Sequence, residues 1–329
     1  MLYAAPEVKE ELRMILAADF GGTTIKLGIV REGTVLARHR LAAHADRPMA
    51  ERLEAVACAW EKLLKEAGGT LRDCNGTALA LPFVADAKQV CVRGEFGKFP
   101  GAADIDFAAW SEQRLGLPTA LENDLRVALL GEWVAGAARG KTDVVMLALG
   151  TGIGCAVISS NQLLRGANNR AATLLGHSTI DHQGLQGRCG NIGCAEDLAS
   201  TATLETRARS RPDFAGSALS RFEKIDFEAV FASARTGDAC SQSLLEQSLR
   251  VWAVVLQNAV LAYDPQIVLL GGGVLRSPEA VVSPMERFLR QHMPALPLQV
   301  PVVAVALGDD AALLGAEVLF RQVHPALFP

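Results

Sequence analysis

The feature that most restricts the fold is a pattern that occurs twice: an apolar strand, a bend of small residues and Thr, and a second apolar strand. In the first copy, residues 14–18 are apolar and lead into Asp19-Phe20-Gly21-Gly22-Thr23-Thr24, and residues 25–30 resume the apolar run. Gly33 punctuates, and residues 34–39 pair back to complete a meander. In the second copy, Val144–Leu149 enters Gly150-Thr151-Gly152-Ile153-Gly154 and leaves through residues 155–158. We read this as a weak internal duplication, one glycine bend per half. A third bend, Gly271-Gly272-Gly273, follows a strand over 267–270. Further strands are expected over 78–81, 90–92, 119–121 and 300–305. Helical spacing of Met49, Leu53, Val56, Ala57, Trp60, Leu63 and Leu64 predicts a helix over 48–66, stopped by Gly68-Gly69. Other helices are expected over 107–115, 123–138, 242–261 and 311–320. Strands alternate with helices, so the fold class is α/β.

A chain of 329 residues suggests two domains. A formal net charge of −4 argues against a nucleic-acid partner, which would want a basic stripe. At 50% hydrophobic residues the chain is not disordered, and with only 5% aromatics its core must rest on Ala, Val, Leu and Ile. Seven cysteines, an odd count, fit a reducing compartment better than a disulfide framework, so a cytoplasmic location is expected. The charged first residues lack the apolar run of a signal peptide. The longest apolar stretches, 144–158 and 260–275, are interrupted, so no membrane span is expected.

Glycine bends bring backbone N–H groups close together, and Thr adds a hydroxyl, which suits a phosphate group; each bend can equally be only a tight turn. Neither the Walker A pattern nor a complete dinucleotide fingerprint is present. Leu121-Glu122-Asn123-Asp124 falls where a strand gives way to a helix, at the expected junction of the halves. A carboxylate there can accept a proton from an attacking hydroxyl, or it can simply cap the helix. His177, Cys189 and Cys194 lie among tight glycine turns and could ligate zinc, with His182, Asp181 or water as fourth ligand; buried thiols are the alternative.

Taken together, these segments resemble the ROK family of bacterial sugar kinases, within the actin-like ATPase superfamily. The residues that carry the resemblance are 18–28, Glu122-Asn123-Asp124, 149–154, Gly176-His177, the loop from Cys189 to Glu196, 264–273 and 308–316. They stand in the family's order from about residue 14 to about residue 320. The resemblance implies two actin-like (ribonuclease H-like) domains with an interdomain active-site cleft. It divides the chain into 1–122, with a C-terminal helix 311–329 returning to it, and 123–310. It implies phosphorylation of a sugar hydroxyl, on a hexose or hexose derivative, by ATP with Mg2+, and a homodimer. Asp124 would be the general base and Asn123 a sugar ligand. Gly21, Gly22, Thr23, Thr24, Gly150, Thr151 and Gly152 would cradle the ATP phosphates, with Asp19 orienting the hydration shell of Mg2+. Gly271 and Gly272 would face the adenosine. His177 and Glu196 would contact the sugar, and His177, Cys189 and Cys194 would hold Zn2+.

The departures lie on the sugar side. The family carries Ala-Gly-Glu-x-Gly-His, whose Glu binds sugar hydroxyls, and Leu174 stands at that Glu. Gly187 takes the first Cys position of the zinc loop, and Ala80-Leu81-Pro82-Phe83 replaces Gly-x-Pro-Gly. The substrate, rather than the chemistry, is expected to have drifted. Two other readings are a sugar-responsive regulator and a catalytically idle sugar-binding protein. Only about 13 residues precede the first strand, too few for a three-helix DNA-binding module.

Overall fold

The computed structural model describes residues 13–94, 97–292 and 299–328. The N-terminal stretch 1–12 and Pro329, which ends the expected segment 311–329, lie outside the described residues. The chain divides into two compact units: one runs to Gly131 and resumes at Asp309, and the other is Glu132–Gly308.

In the first unit, β1 (Met14–Phe20), β2 (Thr24–Arg31) and β3 (Thr34–Ala42) form the antiparallel meander. Helix α1 (Met49–Glu66) follows, and the seven apolar residues of its helical stripe are all buried. Next come β4 (Cys74–Leu81), the short pair β5 (Ala85–Asp86) and β6 (Cys91–Val92), α2 (Phe107–Leu115), β7 (Thr119–Asn123) and α3 (Asp124–Val134). Strand β4 runs parallel to β1, and β7 parallel to β4, so the sheet order is β3-β2-β1-β4-β7.

In the second unit, β8 (Val144–Leu149), β9 (Ile153–Ser159) and β10 (Gln162–Leu163) repeat the meander. Helices α4 (Ala195–Ala199), α5 (Thr201–Arg209), α6 (Phe227–Arg235) and α7 (Ala239–Tyr263) precede β11 (Ile267–Gly271), α8 (Glu279–His292) and β12 (Val302–Ala304). The order β10-β9-β8-β11-β12, with β11 and β12 parallel to β8, is that of the first sheet. The duplication seen in the bends therefore extends to whole sheets. Among the described residues no helix is long and apolar enough to cross a membrane.

Helix α9 (Ala311–Val323) packs on β1 and β4 of the first unit, with Leu313, Leu314, Leu319 and Phe320 buried. It also crosses α3 at two glycines. A Cβ on Gly315 would stand 1.8 Å from the Val127 carbonyl oxygen, and one on Gly131 would stand 1.9 Å from that of Ala311. Helix α3 thus stays with the first unit through Gly131, and the division falls inside the helix rather than at 122/123. Gly315→Ala should separate the two helices and lower the melting temperature by several degrees, since a backbone contact this close has no flexible side chain to yield. Calorimetry measures the loss directly.

Three elements differ from expectation for local reasons. Strand β4 begins at Cys74 because Thr77, polar in sequence, is buried and bonds Thr119 Oγ1 at 2.7 Å. Helix α3 ends at Val134, four residues early, because Glu132 turns its carboxylate onto Ala137 N (2.9 Å) and onto Ala306 N and Leu307 N (2.9 and 2.7 Å). Strand β12 is shorter than 300–305, and Val305 N still donates to Leu270 O at 2.9 Å.

Candidate active site

Parallel strands end their ladders with side chains gathered at the carboxyl edge, where open α/β sheets place their chemistry. In the first unit that edge is a row: Asp19 of β1 pairs with Ala80 of β4, and Ala80 with Glu122 of β7. Asp19 and Asp124 follow from this row, one on β1 and one just past β7.

Asp124 opens α3. Its Oδ1 accepts from Leu125 N at 2.7 Å and from Asn123 Nδ2 at 3.0 Å. The N3-type capping bond is made by Asn123, whose Oδ1 accepts from Arg126 N at 3.3 Å, while its Nδ2 also donates to Phe83 O at 3.2 Å. Both amide hydrogens of Asn123 are thus engaged, and only Oδ1 has acceptor capacity to spare. Burial and the nearby Asp19 carboxylate push the Asp124 carboxyl up to about 7, against the bonds from Leu125 N and Asn123 and the charge of Lys98. A buried pair, Arg126 Nη1 to Glu122 Oε1 at 3.2 Å, locks the strand–helix corner, and Asn123 N donates to the same oxygen at 2.9 Å.

Asp19 is buried and bonded to Lys26 Nζ at 3.1 Å. Burial raises its carboxyl above the ordinary range, and Lys26 opposes the rise. Lys26 also reaches Asp309 Oδ1 at 3.2 Å, and Asp309 pairs with Arg40. The bend after β1 is tied by Gly21 N to Thr24 O at 3.1 Å, and a Cβ on Gly21 would stand 2.8 Å from that oxygen. Gly22 lies beneath the ammonium of Lys98, whose Nζ is 3.4 Å from where a Cβ would stand.

In the second unit the bend after β8 is tied by Gly150 N to Gly152 O at 3.0 Å, and Thr201 N donates to Gly150 O at 2.9 Å. The bend after β11 lies against it: a Cβ on Gly272, whose φ is +94°, would stand 2.3 Å from Leu149 O. Gly150, Thr151, Gly152, Gly271 and Gly272 are therefore gathered at one edge of the second sheet. Glu196 joins them, its Oε2 accepting from Ile153 N at 3.0 Å.

Behind that bend, the donor atoms of His177, Cys189 and Cys194 all lie within 4.8 Å of one another. His177 Nδ1 is 3.6 Å from Cys194 Sγ, close to the N···S edge of a tetrahedral zinc site with Zn–N of about 2.0–2.1 Å and Zn–S of about 2.3 Å. The three residues fit that metal. Asp181 and His182 are not in the trio. A Cβ on Gly187 would stand 1.9 Å from Asp197 Oδ2, which instead accepts from Arg188 N at 2.8 Å. A carboxylate held by Arg188 thus fills the space of the family's remaining cysteine.

Four participants escaped the sequence reasoning: Lys26, Lys98, the Glu122–Arg126 pair and Asp309. Lys26 stands in the matching segment 18–28 and Asp309 in 308–316, so both were within reach of the motifs. Glu122 stands in the Glu122-Asn123-Asp124 motif, and its pairing with Arg126 is signalled only by their i,i+4 spacing.

The sequence model of the ROK family matches residues 15–323. Among similar proteins, a glucokinase of Thermotoga maritima is 29% identical over 315 residues, covering 94% of this chain and 97% of that protein. A beta-glucoside kinase of Klebsiella pneumoniae is 28% identical over 316 residues, covering 94% and 97%. The crystal structure of a ROK family glucokinase from Streptomyces griseus, in complex with glucose and AMPPNP, superposes with a TM-score of 0.76 at 29% identity, covering 94% of this chain and 99% of that one. With matches of this extent and a fold in two repeated sheets, the chain belongs to the ROK family and has the actin-like ATPase fold.

Proposed function

We propose that this ROK-family sugar kinase transfers the terminal phosphoryl group of ATP to a hydroxyl of a hexose or hexose derivative, with Asp124 as general base. The observation that carries this is a carboxyl pushed up to about 7 just past β7, at the same sheet edge as the glycine bend that follows β1, with β4 between the two strands. The similar Streptomyces griseus structure, holding glucose and AMPPNP, supports both ligand classes. Asp124 takes the proton of the sugar hydroxyl as that oxygen bonds the terminal phosphorus; the bond from phosphorus to the bridging oxygen breaks, and its electron pair leaves with ADP. Asn123 holds Asp124 through Nδ2 and offers Oδ1 to a sugar hydroxyl. Gly21, Gly22, Thr23, Thr24, Gly150, Thr151 and Gly152 are assigned to the phosphates. Gly271 and Gly272 are assigned to the adenosine. Mg2+ supplies charge neutralisation for the transfer, and Asp19 is the carboxylate suited to orient its hydration shell. His177 and Glu196 are assigned to the sugar. Glu196 also fastens the 150–153 bend.

Zinc, bound by His177, Cys189 and Cys194, would cross-link the loop that carries Glu196. Purified protein should contain about one zinc per chain, against the single site assigned. Cys194→Ala should lose it. Metal analysis showing no zinc in protein prepared without chelators would remove the site.

The test of function is ADP release from Mg-ATP over a panel of hexoses, N-acetylhexosamines, ketoses and pentoses. One class should give sugar-dependent release, while ATP cleavage indifferent to every sugar would refute the reading. With the preferred sugar, kcat/KM should rise with pH and level off above an apparent value of about 7, because the base works only when ionised. A profile flat from pH 5 to 9 would remove Asp124 from that role.

A further inference from the structure

Lys98 has no role in the reading above, yet the fold holds it with care. Phe99 is fully buried and meets Phe20 edge-on, with ring centroids 5.6 Å apart. Phe99 N donates to Ala45 O at 2.6 Å, and Pro100 O accepts from Met49 N at 2.9 Å. Phe20 immediately precedes Gly21-Gly22, so the aromatic contact sets Lys98 beside the bend. Its Nζ and Cε would stand 3.4 and 3.5 Å from a Cβ on Gly22, so the ammonium lies in van der Waals reach of the bend.

The second lysine of this edge, Lys26, is satisfied by Asp19 and Asp309. Lys98 is half-buried and, among the described residues, makes no ion pair or hydrogen bond. Its charge nonetheless reaches Asp124. An ammonium held at this distance from the bend is placed to attract an anion bound there. A phosphoryl oxygen at Gly22, in transfer to an oxygen beside Asp124, would stand between the ammonium and the base.

We propose that Lys98 is a catalytic residue that binds the transferred phosphoryl group at the Gly21-Gly22 bend and neutralises its charge. The proposal rests on the phosphate reading of that bend. Its chemistry resembles that of other electrostatic clamps on phosphoryl groups, which act where charge develops. An acidic substituent on the sugar is the competing partner for the same cation.

The experiment compares wild type, Lys98→Met and Lys98→Arg in the intact protein. Lys98→Met should lower kcat with a neutral sugar by roughly 10²-fold, the scale of one lost electrostatic donor, with the sugar KM within about twofold. Lys98→Arg should recover part of the loss. Calorimetry of nucleotide alone should show Mg-ATP binding weakened by about tenfold in Lys98→Met and Mg-ADP binding unchanged, since only the former has the transferred group. The acid limb of kcat/KM should move to higher pH, because Lys98 is the cation that favours ionised Asp124; Asp19 opposes it, and Lys26 and Asp309 neutralise one another beyond Asp19.

Unchanged turnover in Lys98→Met, or equal weakening of both nucleotides, would overturn the proposal. So would a loss confined to acidic sugars. The nucleotide comparison needs no sugar turnover, so it separates this failure from failure of the kinase reading, which the sugar panel detects.

Discussion

Asp124→Asn should lower kcat by about 10²–10⁴-fold, the range for loss of a positioned general base, and leave sugar affinity within a few fold. The substitution is nearly isosteric. The Asn carbonyl oxygen can still accept from Leu125 N, and the corner built by Asn123, Glu122 and Arg126 is untouched. Only the proton acceptor is lost. The effect should therefore appear in kcat rather than in the sugar KM.

The same carboxyl makes a second, independent reading possible. Its value in the folded protein, about 7, lies above the unfolded value near 3.9, so the folded state holds the proton more tightly. Its stabilising contribution is full below pH of about 4 and is lost as pH rises through about 7. Asp124→Asn removes that dependence. Relative to wild type, the variant should melt higher at pH 8 than at pH 5. A variant that is inactive but more stable at pH 8 has lost chemistry, not structure.

The largest effect on stability is expected at Arg126. Its guanidinium and the Glu122 carboxylate are both fully buried and 3.2 Å apart. Arg126→Met takes the cation from beside a buried carboxylate, which costs about 3–5 kcal/mol when one partner of such a pair is removed. At about 2–4 °C per kcal/mol for a unit of this size, the melting temperature should fall by about 10 °C. The double variant Glu122→Gln with Arg126→Met should recover much of that loss, because it removes both charges of this pair together. Equal melting of the single and double variants would show that the pair carries no such coupling. The pair matters beyond stability, since Glu122 also holds Asn123 N and so sets the corner from which Asp124 projects.

Much of this architecture is legible in the residues. Helix α2 matches its expected span because Gly116 takes the left-handed conformation, φ 68°, that ends it. Strand β8 matches because six apolar residues stand between charged and glycine-rich segments. The elements that escaped are those whose environment is set from afar. Asn75, Gly76 and Thr77 look like a polar turn, yet they are strand, because Thr77 bonds Thr119 and Gly76 lies under the ring of Phe320. The pattern Cys189 to Glu196 indicated a metal loop, whereas Asp197 filling the space beside Gly187 depends on how that loop closes. Lys98 shows the same limit: nothing around it in sequence marks it, and its place follows from Phe99 packing on Phe20.

The central claim is that the chain moves phosphoryl from ATP to sugar oxygen. Its most direct test follows γ-labelled ATP in the presence of the preferred sugar of the panel. Label should appear on the sugar in step with ADP, and Asp124→Asn should stop the transfer while still binding the sugar. Label found only as inorganic phosphate, or transfer by Asp124→Asn at the wild-type rate, would contradict the account.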